Sequence, residues 1–128
     1  MPIVANDDAR EIPWRSGYRS FVIAGKEHGM SCSASMSILE PGAGAPLHVH
    51  PDVDEILIVT EGSLDFRLGD ERRIVGKGHT VSIPAGTPHG FTVIGDQQAR
   101  LIGFMPKIGA FASAQYLEGG PPLGVDQR

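Results

Sequence analysis

A single cysteine in 128 residues, Cys32, excludes an intramolecular disulfide framework and cannot by itself make a sulfur-rich metal site. Its place in the alternating run Ser-Cys-Ser-Ala-Ser-Met-Ser-Ile reads as a small buried hydrophobe in preference to a reactive thiol. There is no basic run: 15 acidic and 11 basic residues are interspersed, for a net charge of -4, which argues against nucleic acid or an acidic membrane surface as a partner. No apolar stretch approaches the roughly 18 residues of a membrane span. The N-terminus, Met-Pro-Ile-Val-Ala-Asn-Asp-Asp, lacks a basic-then-apolar signal pattern, so the expected location is cytoplasmic.

What the chain has in quantity is turn residues. Its 17 glycines and 10 prolines fall between short apolar runs, the mark of many short strands joined by tight turns. A chain of this length is one domain able to bury roughly two thirds of its unfolded surface. Strands are predicted at 18–24, 31–38, 55–60, 64–68, 72–75, 81–83, 89–94 and 100–105, a recurrence that indicates an all-β sandwich or barrel. The strand at 31–38 is the clearest, with Cys32, Ala34, Met36 and Ile38 on one face and four serines on the other. The serines read as solvent-facing; the alternative is that they line a pocket. Residues 1–17 read as an N-terminal arm whose Trp14 docks on the body, residues 18–106 as the barrel, and residues 107–128 as a C-terminal helix and tail. The helix is predicted over 107–118 because Ile108, Phe111, Ala112 and Tyr116 recur at helical spacing, against the presence of Gly109.

The chemistry concentrates in residues 42–62. His48 and His50 are two apart, so on an extended strand they share one face and can approach one ion. Glu55 would lie on the opposite face of a straight strand, but a turn at Pro51-Asp52 lets it open the next strand and fold back. Three residues can then share one metal, with His89 available as a fourth. The same histidines can alternatively be satisfied core residues. His28 and His79 read as solvated or core-edge histidines, and Arg67, Arg72 and Arg73 as a solvated face.

The spacing resembles the two motifs of the cupin family. Gly42, His48, His50, Glu55 and Gly62 fit the first, and Gly78, Pro84, Gly86 and His89 fit the second, with Val93 standing where that motif has Asn. The resemblance implies a double-stranded β-helix, a jelly-roll-like barrel, holding one divalent metal in its mouth and commonly dimeric. The expected metal ligands are His48, His50, Glu55 and His89. Three imidazoles and a carboxylate suit iron, manganese, nickel, cobalt, copper or zinc better than calcium or magnesium. By resemblance to quercetinase-type cupins, Glu55 also serves as general base.

Parity predicts the pocket. Phe91 and Val93 share the face of His89, Leu57 and Val59 that of Glu55, and Leu64, Phe66 and Leu68 point the same way. On the last strand Ile102 and Phe104 are the expected inward pair, with Met105 the alternative. Leu57, Phe66, Phe91, Val93 and Phe104 thus give a greasy pocket with few polar groups beyond the metal, suited to a flat or apolar small molecule over a sugar phosphate. The expected function is a metal-dependent, dioxygenase-like enzyme acting on an apolar or aromatic small molecule. The competing readings are a Lewis-acid polyketide cyclase or isomerase, and a non-catalytic metal-dependent binding or sensing module. The expected assembly is a homodimer, with the arm and Trp14 crossing to the neighbour.

Overall fold

The structure, a computed structural model, describes residues 2–127. Its strands are β1 (Arg10–Arg15), β2 (Tyr18–Ala24), β3 (Ser33–Leu39), β4 (Gly44–Val49), β5 (Glu55–Glu61), β6 (Ser63–Leu68), β7 (Glu71–Gly76), β8 (Thr80–Ile83), β9 (His89–Ile94), β10 (Ala99–Met105) and β11 (Gln115–Tyr116). They form two antiparallel sheets, a six-stranded one in the order β1-β2-β3-β10-β5-β8 and a five-stranded one in the order β11-β4-β9-β6-β7. Alternation along each strand sends one set of side chains between the sheets, where Leu39, Leu64, Val59 and Leu101 make a dry core. The fold is therefore all-β and jelly-roll-like. No helix among the described residues is long and apolar enough to cross a membrane.

Four local expectations change. The C-terminal helix is replaced by a short 3-10 turn, Ala110–Ser113, followed by β11, because Gly109 adopts φ 80° and the backbone of Gln115 and Tyr116 pairs with Val49 and His48 on the edge of β4. An edge strand offers these residues hydrogen bonds that compete with a helix. The N-terminal arm contains a strand, β1, which pairs with β2 of its own chain and buries Ile12 and Trp14 against its own core. On β3 the serine face is the inward one: Ser35 and Ser37 are buried, while Met36 lies on the opposite side, paired with Phe21 and Ile102. On β10, finally, Leu101 and Met105 point inward and Ile102 and Phe104 outward, with Phe104 38% exposed. The last two changes share a cause. The outer face of the larger sheet carries its own apolar row, in which Phe21, Met36, Ile102 and Ile58 are successive cross-strand partners, so apolar character alone does not identify the inner face.

The strands that carry the histidines approach unusually closely. A Cβ on Gly44 would lie 1.9 Å from the Phe91 carbonyl oxygen, and one on Gly90 would lie 2.9 Å from that of Ala45. Both obstacles are backbone atoms and cannot swing aside. Gly44→Ala should therefore destabilise the fold by about 1–3 kcal/mol or more, the cost of overpacking. The urea unfolding midpoint measures this, and an unchanged midpoint would show that β4 and β9 can separate freely.

Candidate metal centre

His48 comes from β4, His50 immediately follows it, and His89 opens β9 directly opposite His48 in register. All three belong to the smaller-sheet side of the barrel. After the turn at Pro51 and Asp52 the chain crosses to the larger sheet, where Glu55 begins β5. The turn thus brings the carboxylate to face the histidines across the gap between the sheets. Glu55 Oε1 lies 3.2 Å from His89 Nε2 and 3.6 Å from His50 Nε2. One nitrogen from each histidine falls within 4.8 Å of the others, and all four side chains are buried.

Hydrogen bonding at the outer edge of the cluster fixes the tautomers. His48 Nδ1 is 2.7 Å from the Pro46 carbonyl and His89 Nδ1 is 2.9 Å from the Thr87 carbonyl. A carbonyl only accepts, so each Nδ1 carries a proton and the Nε2 of each neutral ring is a bare lone pair. Neither ring nitrogen of His50 has a hydrogen-bond partner of good geometry, although both are buried. A lone pair facing a carboxylate at 3.2 Å is held in place by a cation between them, either a proton or a metal ion. Backbone-anchored imidazoles with their second nitrogens converging also match the outer-shell pattern of histidine metal ligands. The residues present therefore fit a divalent transition metal.

Electrostatics favour the same state. Burial, reinforced by His89, drives the His48 pKa down to about 4, and burial also lowers that of His50. Burial alone would raise Glu55, but a proton on the facing histidine nitrogens, which makes the His89 contact a hydrogen bond and gives the imidazoles positive charge, outweighs it and holds the carboxyl below its usual range. The cluster at neutral pH thus has unprotonated His48 and His50 beside an ionised Glu55, a set of donors ready for a metal without prior loss of protons from those two rings.

A cavity of about 30 Å³ opens beside the histidines. Leu57 and Phe91 line it together with His48, Glu55 and His89, but Phe66 and Val93 belong to the packed core behind it, with Phe66 stacked on Phe91 at 5.5 Å. Phe104 is on the outside of the barrel, because β10 presents the other parity to the cavity. The wall is also less greasy than parity predicted, since Arg15, Ser35, Ser37 and Tyr116 contribute to it. Tyr116 stacks on His48 with ring centres 5.3 Å apart and planes at 20°, and Phe111 packs edge-on against both His50 and Trp14. The alternation of β3 did carry a signal for the two serines. Arg15 carried none: the register of β1 against β2 shifts between Ile12 and Arg15, so consecutive residues, Trp14 and Arg15, both reach the cavity.

The chain belongs to the cupin family: residues 35–105 match the cupin domain. Among curated proteins, it is 30% identical over 101 residues to Protein SchB of Streptomyces halstedii, covering 78% of this chain and 73% of that protein. It is also 38% identical over 66 residues to quercetin 2,3-dioxygenase of Bacillus subtilis (strain 168), covering 52% of this chain but only 19% of the dioxygenase. In fold it is similar to the polyketide cyclase RemF from Streptomyces resistomycificus, with a TM-score of 0.77 and 22% identity over 94% of this chain and 87% of that one.

The depressed histidines make the metal-free protein acid-sensitive. His48 binds a proton near pH 6.5 when unfolded but only near pH 4 when folded, so the unfolded state takes up more protons between those values. The stability this group contributes is complete above about pH 6.5 and lost as pH falls towards 4, a change on the order of 3 kcal/mol. Urea midpoints of metal-free protein should decline across that interval. A flat profile would show that His48 titrates normally in the fold.

Proposed function

We propose that the protein is a metal-dependent enzyme in which His48, His50, His89 and Glu55 hold one divalent transition metal beside a small, partly aromatic cavity. The observation that carries this reading is the convergence of three imidazole nitrogens on a buried carboxylate that needs a cation to face them. Bound there, a divalent transition metal would supply Lewis acidity and, if redox-active, a route to oxygen chemistry. The chain's own contributions follow from the geometry. Pro46 and Thr87 fix the histidine tautomers, and the aromatic walls of Phe91, Phe111 and Tyr116 exclude water and orient the substrate's oxygenated head group. Glu55 Oε1, within reach of the cavity and unprotonated, accepts a substrate proton as general base. The substrate class is a small oxygenated molecule with an apolar or aromatic body, and the first reaction type is dioxygenase-like.

A second reading, Lewis-acid catalysis of the polyketide-cyclase type, is supported by extent of likeness. The fold matches a polyketide cyclase over 94% of the chain, whereas the dioxygenase alignment covers 52% of it. Oxygen separates the two: a dioxygenase works with iron, manganese, nickel, cobalt or copper and stops with zinc or without dioxygen, whereas a cyclase works anaerobically and accepts zinc. A panel of flavonols, catechols and diketones run with iron-, nickel- and zinc-loaded protein distinguishes them. Saturable binding with no turnover in any arm would favour a sensing module.

Alanine at His48 or His89 removes one of four ligands and should leave dialysed protein without stoichiometric metal. Glu55→Gln preserves three histidines but removes the base, and should lower turnover about 100-fold or more. Full metal occupancy in both histidine variants would refute the ligand assignment.

The homodimer is proposed on a different basis from the arm, which stays on its own barrel. Ile56, Ile58 and Phe104 are each nearly two-fifths exposed on the outer face of the larger sheet, beside Ile102 and Met36. A contiguous apolar sheet face of this kind is what a second copy covers in a two-fold assembly. Ile58→Asp or Phe104→Asp should shift the sedimentation mass from dimer to monomer with metal content unchanged. A wild-type monomer at micromolar concentration would refute the dimer.

A further inference from the structure

The cavity contains one cationic side chain whose donors the fold satisfies only in part. Arg15 lines it from β1, in a wall shared with Ser35, Ser37, Tyr116, Glu55 and His48. One of its terminal nitrogens donates to the Gly120 carbonyl at 2.6 Å, and its guanidinium lies 5.6 Å from the centre of the Tyr116 ring. Its Nε, however, is buried without a hydrogen-bond partner. A buried guanidinium donor left unmatched costs free energy that an anionic acceptor would recover, and the planar donor fork of arginine suits carboxylate oxygens. Among the described residues, the carboxylates that pair with arginine are at the surface, and the acidic group lining this cavity, Glu55, is already engaged with His89 and His50.

Resting on the metal-centre reading above, we propose that Arg15 is the anion-recognition residue of this site and that the substrate is a small carboxylate or enolate. One of its oxygens lies at the three-histidine end of the cavity and another meets the free Arg15 donor. Charge supports this. A dication with the single carboxylate of Glu55 leaves a net positive site, and Arg15 adds a second positive charge, so a neutral ligand leaves the cavity electrostatically unbalanced. Size supports it too. About 30 Å³ holds only one or two waters, hence a compact head group. The roof over it is pinned, because Arg67 forms a two-nitrogen pair with Glu118 and Leu117 N donates to the Leu47 carbonyl.

Acetate and its neutral isostere acetamide test the proposal on zinc-loaded full-length protein. Binding is followed by the fluorescence of Trp14, which is the chain's one tryptophan and lines the cavity, and zinc content is measured in parallel. Wild type should prefer acetate. Arg15→Gln should weaken acetate about tenfold, leave acetamide within a factor of two and retain one zinc per chain, while Arg15→Lys, which keeps the charge, should retain most of the preference. Equal weakening of both probes would assign Arg15 a merely structural role through Gly120 and overturn the proposal, as would unchanged acetate affinity. Wild type that binds no zinc would overturn the metal reading and this one together, whereas zinc-replete wild type that does not prefer acetate to acetamide would overturn this one alone. Should Arg15→Gln fail to fold, a crystal structure of zinc-loaded wild type with acetate decides: a carboxylate oxygen within hydrogen-bond distance of Arg15 Nε supports the proposal, and a carboxylate turned away from it refutes it.

Discussion

Two imidazole lone pairs, those of His48 and His89, are aimed inward because their opposite nitrogens are committed to the carbonyls of Pro46 and Thr87. Opposite them sits a carboxylate that has been taken out of water. Such a group of acceptors favours a cation between its members, and the packing of the two sheets holds the group together. The two sheets supply the two halves of the cluster, histidines from one and glutamate from the other, so sheet packing sets the ligand separation. Burial then keeps His48 and His50 unprotonated, which leaves their nitrogens to a metal in preference to a proton.

Backbone geometry supports this arrangement at several places. Gly44 and Gly90 let β4 and β9 meet so closely that His48 and His89 stand in register, and any side chain there would collide with main-chain atoms. The turn at Pro51 and Asp52 moves the chain from one sheet to the other within five residues, converting a parity mismatch between His50 and Glu55 into a facing pair. The segment after β10 closes the mouth: Phe111 packs on His50, Tyr116 on His48, and Arg15 ties Gly120 to the N-terminal strand. Chain termini that would be loose on their own thus become the wall of a cavity.

Strand positions and the position of the histidine pair were legible because they depend on local signals: period-two alternation, glycine-marked turns and residue parity. Leu57, Val59, Leu64, Phe66, Phe91 and Val93 are buried as that parity requires. Where both faces of a strand are covered, parity finds the two faces but cannot say which one is inside. Phe104 and the serines of β3 were therefore assigned to the wrong sides: an apolar outer face made the polar inner one look like surface. The wall residues Arg15 and Tyr116 depend on a register shift and on an edge pairing between distant segments, neither of which leaves a periodic trace. Helical spacing at 108–116 was a coincidence of four apolar residues that the free edge of β4 overrode.

Membership of the cupin family, three buried histidines facing a carboxylate, and a cavity with one unpartnered arginine nitrogen are the observations on which the proposed chemistry rests. The central claim is that the cluster is built for one transition metal. Calorimetric titration of metal-free wild type at neutral pH tests it most directly. The account predicts saturation at one zinc or nickel ion per chain with no comparable binding of magnesium, since nitrogen donors discriminate against it. No saturable transition-metal binding, or equal binding of magnesium, would contradict it.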